Sequence, residues 1–85
     1  MPYLLVEYQY DPPVTLAAKA ADAQRLGPCL QQRNIRHMRS WLSQDGTWGV
    51  CEYEAADAEA VREAYRSAQV KFARVYTADL LMGAS

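Results

Sequence analysis

The sequence is poor in the residues from which recognisable sites are built. Its 85 residues include two cysteines, one histidine and one phenylalanine. Cys29 and Cys51 form no CxxC pair, so the ligands of a tetrahedral zinc site are missing. The opening MPYLLVEYQY has no basic stretch and reaches Glu7 before an apolar run can build, so no secretory leader is expected. That makes a cytoplasmic location and two free thiols the expectation. Charge-free stretches never exceed seven residues (12–18 and 26–32), well short of the roughly 20 apolar residues that span a bilayer. No membrane partner is expected. Lys plus Arg number 9 and Asp plus Glu 10, so 9 − 10 leaves a net charge of −1 and no general electrostatic hold on nucleic acid or anionic lipid.

What is present reads as a single domain over residues 1–85. A chain of this length buries only about 60–65% of the surface its unfolded form exposes, a shortage that a partner subunit would relieve. Tyr3 to Tyr10 mixes β-branched and aromatic residues and is stopped by Asp11, Pro12 and Pro13, which predicts a first strand. Thr15 is an N-cap for a helix whose stripe is Leu16, Ala20, Ala23, Leu26 and Leu30, and Pro28 predicts a kink or break in it. Ile35 to Ser43 and Trp48 to Glu54 flank an Asp45-Gly46 turn and predict a hairpin. Asp57 caps a second helix with the stripe Val61, Ala64, Tyr65 and Ala68, and Phe72 to Leu81 predicts a last strand. The order β-α-β-β-α-β predicts an α+β, ferredoxin-like fold: a four-stranded antiparallel sheet with two helices on one face.

Side chains alternate along a strand, so parity sorts them between the two faces. Leu4, Val6, Tyr8, Met38, Ser40, Leu42, Gly49, Cys51 and Tyr53 are expected under the helices. The open face is expected to carry Tyr3, Leu5, Glu7 and Gln9, then His37, Arg39 and Trp41, then Trp48, Val50, Glu52 and Glu54. Parity in the last strand is open: Val75 and Thr77, or Tyr76 and Ala78, point inward. A mixed aromatic and charged face suggests a second subunit, a ligand cleft, or both. The candidate ligand-binding residues are Glu7, His37, Arg39, Trp41 and Glu52. Glu7 and Glu52, expected near each other, are candidates for a general acid or base, since a carboxylate beside another has its pKa raised. The competing reading is structural ion pairing with Arg39 or His37. Cys51, on the helix side, reads as a small hydrophobe.

Thr47-Trp48-Gly49-Val50-Cys51-Glu52-Tyr53 superficially resembles the RNA-recognition consensus. It lacks the cationic first position, and Glu52 and Glu54 would repel phosphate, so no nucleic-acid partner is expected. A second resemblance covers nearly the whole chain. Val6-Glu7, Arg39-Ser40-Trp41, Cys51-Glu52-Tyr53-Glu54-Ala55 and Asp57-Ala58-Glu59-Ala60-Val61-Arg62-Glu63-Ala64 stand in order. Together they resemble a family of small uncharacterised ferredoxin-like proteins that includes a nickel-binding member. The resemblance implies a homodimer in which two sheets face each other as an α/β barrel, and metal binding in some members. The family's usual histidine positions are Arg39 and Ala64 here, and neither side chain can ligate a metal at neutral pH. Glu7 and His37 remain as metal candidates, and no cofactor is expected. The leading expectation is a homodimer that binds a small, anionic, aromatic molecule at the open face. The alternatives are nickel binding, and a cofactor-independent isomerase or monooxygenase of the dimeric barrel type.

Overall fold

A computed structural model describes residues 2–83. The order is β1 (Tyr3–Gln9), α1 (Leu16–Gln32), β2 (Arg36–Leu42), β3 (Trp48–Glu54), α2 (Ala58–Ala68) and β4 (Arg74–Ala78). All strand pairings are antiparallel, in the order β2-β3-β1-β4. This is the expected ferredoxin-like arrangement. No helix among the described residues is long and apolar enough to cross a membrane.

The core follows from the period of two in β1 and β3. Leu4, Val6 and Tyr8 are buried with Cys51 and Tyr53, and Val61, Ala64, Tyr65 and Ala68 of α2 close over them. Tyr65, Leu4, Val6 and Val61 are the largest fully buried side chains. Each contributes about 1.5–3 kcal/mol by leaving water. Asp57 accepts from the Ala60 amide at 2.8 Å, and Gln69 ends α2 in the left-handed region at φ 58°. Val75 is buried, which settles β4: Arg74, Tyr76 and Ala78 pair with Glu7, Leu5 and Tyr3 on the open face.

The hairpin turn is built as the Asp-Gly signal requires. Gly46 has φ 74°, and a Cβ there would stand 2.7 Å from the Val14 carbonyl oxygen. The Val14 amide donates to the Gly46 carbonyl at 2.8 Å, so the turn is docked on the β1–α1 connection. Only a residue without a side chain fits this approach.

Two helical expectations are narrowed. α1 runs through Pro28 without a break. Gln24, Gly27 and Pro28 are all exposed, so the carbonyl that loses its partner lies on the solvent side, where water replaces it. The α1 stripe is also only half used. Leu26 and Leu30 are buried, whereas Leu16 is 76% exposed and Ala20 and Ala23 are exposed. α1 packs against α2 and buries Leu26 and Leu30 of its C-terminal half, while most of its N-terminal half stays exposed.

Candidate functional site

On the open face, the charges are already matched. Glu7 pairs with Arg74, whose Nη2 lies 3.0 Å away, and accepts from the Tyr76 hydroxyl. Arg39 pairs with Glu52, and Arg36 lies 3.6 Å from Glu54. Glu7 sits opposite Val50, and Glu52 sits opposite Leu5, so the two carboxylates occupy offset positions with separate arginines. The hydrogen bond from Tyr76, then that from Arg74, holds the Glu7 carboxyl below its usual range. This is opposite to the raised pKa expected of a carboxylate pair serving as a base. Trp41 is 53% exposed and Trp48 41%, with Arg39 5.7 Å from the Trp41 ring centre. Leu80 lines a shallow recess beside Tyr3, Leu5 and Glu52.

His37 is not on this face. Between His37 and Arg39 the β2 to β3 register slips: His37 pairs with Tyr53, Arg39 with Glu52 and Ser40 with Cys51. Met38 is the extra residue of a β-bulge, which returns His37 to the helix side. Glu7 and His37, the two metal candidates, therefore lie on opposite faces of the sheet. Among the described residues, no three of His, Cys, Asp and Glu converge as a set that could hold a metal. The donors present do not fit a nickel site.

On the helix side, a hydrogen-bonded chain runs across the sheet. His37 Nε2 lies 2.7 Å from Ser40 Oγ, which donates to Cys51 Sγ at 2.9 Å. With the Ser40 proton committed to sulfur, His37 donates through Nε2. Cys51 Sγ is 3.8 Å from the Tyr8 hydroxyl. Tyr8 is bonded to Tyr65, and Tyr65 to Tyr53 at 2.6 Å. Burial pushes all three phenols far above their usual pKa, so they remain neutral. The His37 and Tyr53 rings pack with centroids 5.4 Å apart.

Between this chain and the raised half of α1 lies a cavity of about 380 Å³. Its floor is Tyr8, Cys51 and Tyr53, its roof Ala20, Ala23 and Gly27. His37 and Ser40 are exposed and sit at its mouth along the edge strand β2. Lys19 reaches over the floor, its Nζ 3.9 Å from the Tyr8 ring centre and 2.8 Å from the Tyr10 hydroxyl. Of the sequence-predicted site residues, the structure brings His37 to this cavity and leaves Glu7, Arg39, Trp41 and Glu52 on the other face. Tyr8, Lys19, Ser40 and Tyr53 were missed as site residues. The readable signal was the small-residue stripe of α1, which permits close approach to a sheet but, when unburied, leaves space instead.

A family profile described as "Nickel responsive protein SCO4226-like" matches residues 4–77. Among solved structures, the chain is similar to SCO4226 from Streptomyces coelicolor A3(2). The TM-score is 0.82 at 16% identity, over 94% of this chain and 99% of that one. At that identity the likeness shows the fold. No curated protein matches.

Proposed function

The chain belongs to the SCO4226-like family of nickel-responsive proteins, and on that footing we propose that it is a homodimeric small-molecule-binding protein. The observation that carries the reading is the cavity under α1. A helix that leaves half its apolar stripe unburied over a floor of hydrogen-bonding groups is built for an occupant. A volume of about 380 Å³ falls at the lower end of ligand pockets, so the occupant is small.

The second copy covers the open face. Glu7, Glu52 and Glu54 are each matched by an arginine, so the face can meet its own copy without net repulsion. Trp41 and Trp48 are exposed there, and Leu80 is exposed beside Tyr3 and Leu5, giving the apolar surface that association removes from water. Arg39, Trp41, Glu7 and Glu52 thus serve the subunit contact, and His37 serves the ligand. For the enzyme alternative, the lowered pKa of Glu7 argues against its use as a general base.

Native mass spectrometry of the protein as purified tests both parts. The reading expects a dimer carrying a small mass that is shed on denaturation. A ligand-free monomer that admits no small molecule at millimolar concentration would contradict it. Trp41→Ala with Trp48→Ala is expected to shift the dimer toward monomer while leaving the far-ultraviolet circular dichroism unchanged.

A further inference from the structure

The cavity under α1 carries one cation, Lys19, that no carboxylate among the described residues contacts directly. Asp22 lines it, but Asp22 Oδ1 is held by Arg25 Nη2 at 2.6 Å. Lys19 makes no salt bridge among the described residues and uses one of its three N–H groups on the Tyr10 hydroxyl. Two donors and a full charge remain beside the ring of Tyr8. This asks for one negative charge in the occupant.

The buried phenols supply a second donor. Tyr8, Tyr65 and Tyr53 have three hydroxyl protons between them and two hydrogen bonds, Tyr8 with Tyr65 and Tyr65 with Tyr53. One proton is left over. Tyr65 is fully buried and does not line the cavity, so a spare proton there would have no acceptor. The spare proton therefore sits on Tyr8 or Tyr53, which both line the cavity. The Cys51 thiol donates toward Tyr8 at 3.8 Å, which is matched by the order Tyr8 to Tyr65 to Tyr53, with the Tyr53 proton left for the occupant.

The shape adds the third requirement. Ala20, Ala23 and Gly27 present no side chain beyond a methyl group, flanked by Leu26 and Leu30, opposite the rings of Tyr8 and Tyr53 with His37 lining the same space. An apolar space between a helix wall of small residues and leucines and a floor of tyrosine rings favours a planar ring.

We propose that the cavity between α1 and the sheet binds a planar aromatic monoanion, a one- or two-ring carboxylate or phenolate. Its charged oxygen is held by Lys19, an acceptor oxygen takes the spare tyrosine proton, and its ring lies under Ala23. This rests on the small-molecule reading above and adds the chemical class and the holding groups.

The test is calorimetric titration of the intact protein with 2-naphthoate and benzoate, and with 2-naphthalenemethanol as the neutral analogue. Naphthoate is expected to bind at least tenfold more tightly than the alcohol. Lys19→Met should remove that preference, and Ala23→Leu should abolish binding by filling the slot. Ala23 is exposed, so that variant is expected to fold; an unchanged melting temperature checks it. Lys71→Met, at the neighbouring cleft beside Phe72, should bind as the parent does. Equal binding of acid and alcohol, both lost in Ala23→Leu, would overturn the anion class and leave the small-molecule reading standing. Binding of naphthoate that survives Ala23→Leu, or no binding by any probe, would overturn the proposed site.

Discussion

Replacing Tyr65 by phenylalanine isolates the hydroxyl on which the phenol chain turns. Tyr65 is fully buried, and its hydroxyl is bonded to both Tyr8 and Tyr53. Tyr65→Phe breaks both hydrogen bonds and strands two hydroxyls whose unmet desolvation costs about 1–3 kcal/mol apiece. Both hydroxyls can partly recover: Tyr8 faces Cys51 Sγ, and Tyr53 lines the cavity. The low end of the range therefore applies, a loss of about 2–3 kcal/mol. Tyr8→Phe is the internal comparison. It removes the bond to Tyr65 and the long, weak contact from Cys51 but leaves Tyr65 and Tyr53 paired, so the expected loss is about 1 kcal/mol. Urea unfolding followed by far-ultraviolet circular dichroism, with an unchanged slope, measures both. At about 4–8 °C per kcal/mol for a domain of this size, Tyr65→Phe should lower the melting temperature by roughly 10–20 °C. A Tyr65→Phe loss equal to or smaller than that of Tyr8→Phe would refute the three-phenol chain.

The remaining predictions follow the same geometry. Burial raises the pKa of Tyr8, Tyr53 and Tyr65 above the ordinary value of 10.0, so their stabilisation is complete below that pH and is lost as pH rises past it. Stability should fall by about 1.4 kcal/mol per pH unit for each such phenol, and tyrosinate absorbance should show these three ionising only with unfolding; six ordinary titrations in the folded protein would contradict this. Gly46→Ala should destabilise by more than 1 kcal/mol, roughly, because it forces a Cβ toward the Val14 carbonyl at φ 74°, whereas Gly27→Ala, with nothing within 4 Å, should stabilise by about 0.5–1 kcal/mol. Chemical denaturation of the pair in parallel would expose an error if their signs agree. Nickel added to metal-free protein should leave the melting temperature unchanged, since Glu7 and His37 lie on opposite faces; a clear rise would show that the ligand set has been misread.

The fold was legible because each element carried its own punctuation. Thr15 and Asp57 cap the helices they were expected to cap, and Gly46 occupies the turn position that its conformational freedom suits. Parity placed Leu4, Val6, Tyr8, Cys51 and Tyr53 correctly, because β1 and β3 are central strands with unbroken registers. It failed for His37, on the edge strand, where one extra residue at Met38 reverses every side chain before it. No glycine or turn residue marks that bulge in Arg36-His37-Met38-Arg39. The last strand was undecided because Val75, Tyr76, Thr77 and Ala78 are all compatible with either face; pairing with Glu7 and Leu5 decides it. The cavity was hidden for another reason. An alanine stripe reads the same whether the helix presses on the sheet or stands off it, and only Leu26 and Leu30 among its stripe residues are buried. The phenols were more open to inference: three tyrosines at core positions must satisfy three hydroxyls, and their shortest route is to one another.

In the proposed arrangement ligand binds between α1 and the sheet, and the opposite face is reserved for a second copy. Amide and indole shift mapping during titration with 2-naphthoate tests it most directly. Shifts are expected to concentrate at Ala20, Ala23, Gly27, His37, Ser40 and Tyr53, with the Trp41 and Trp48 indoles unmoved. Shifts confined to those indoles and to Arg39 and Glu52 would place the ligand on the open face and contradict it.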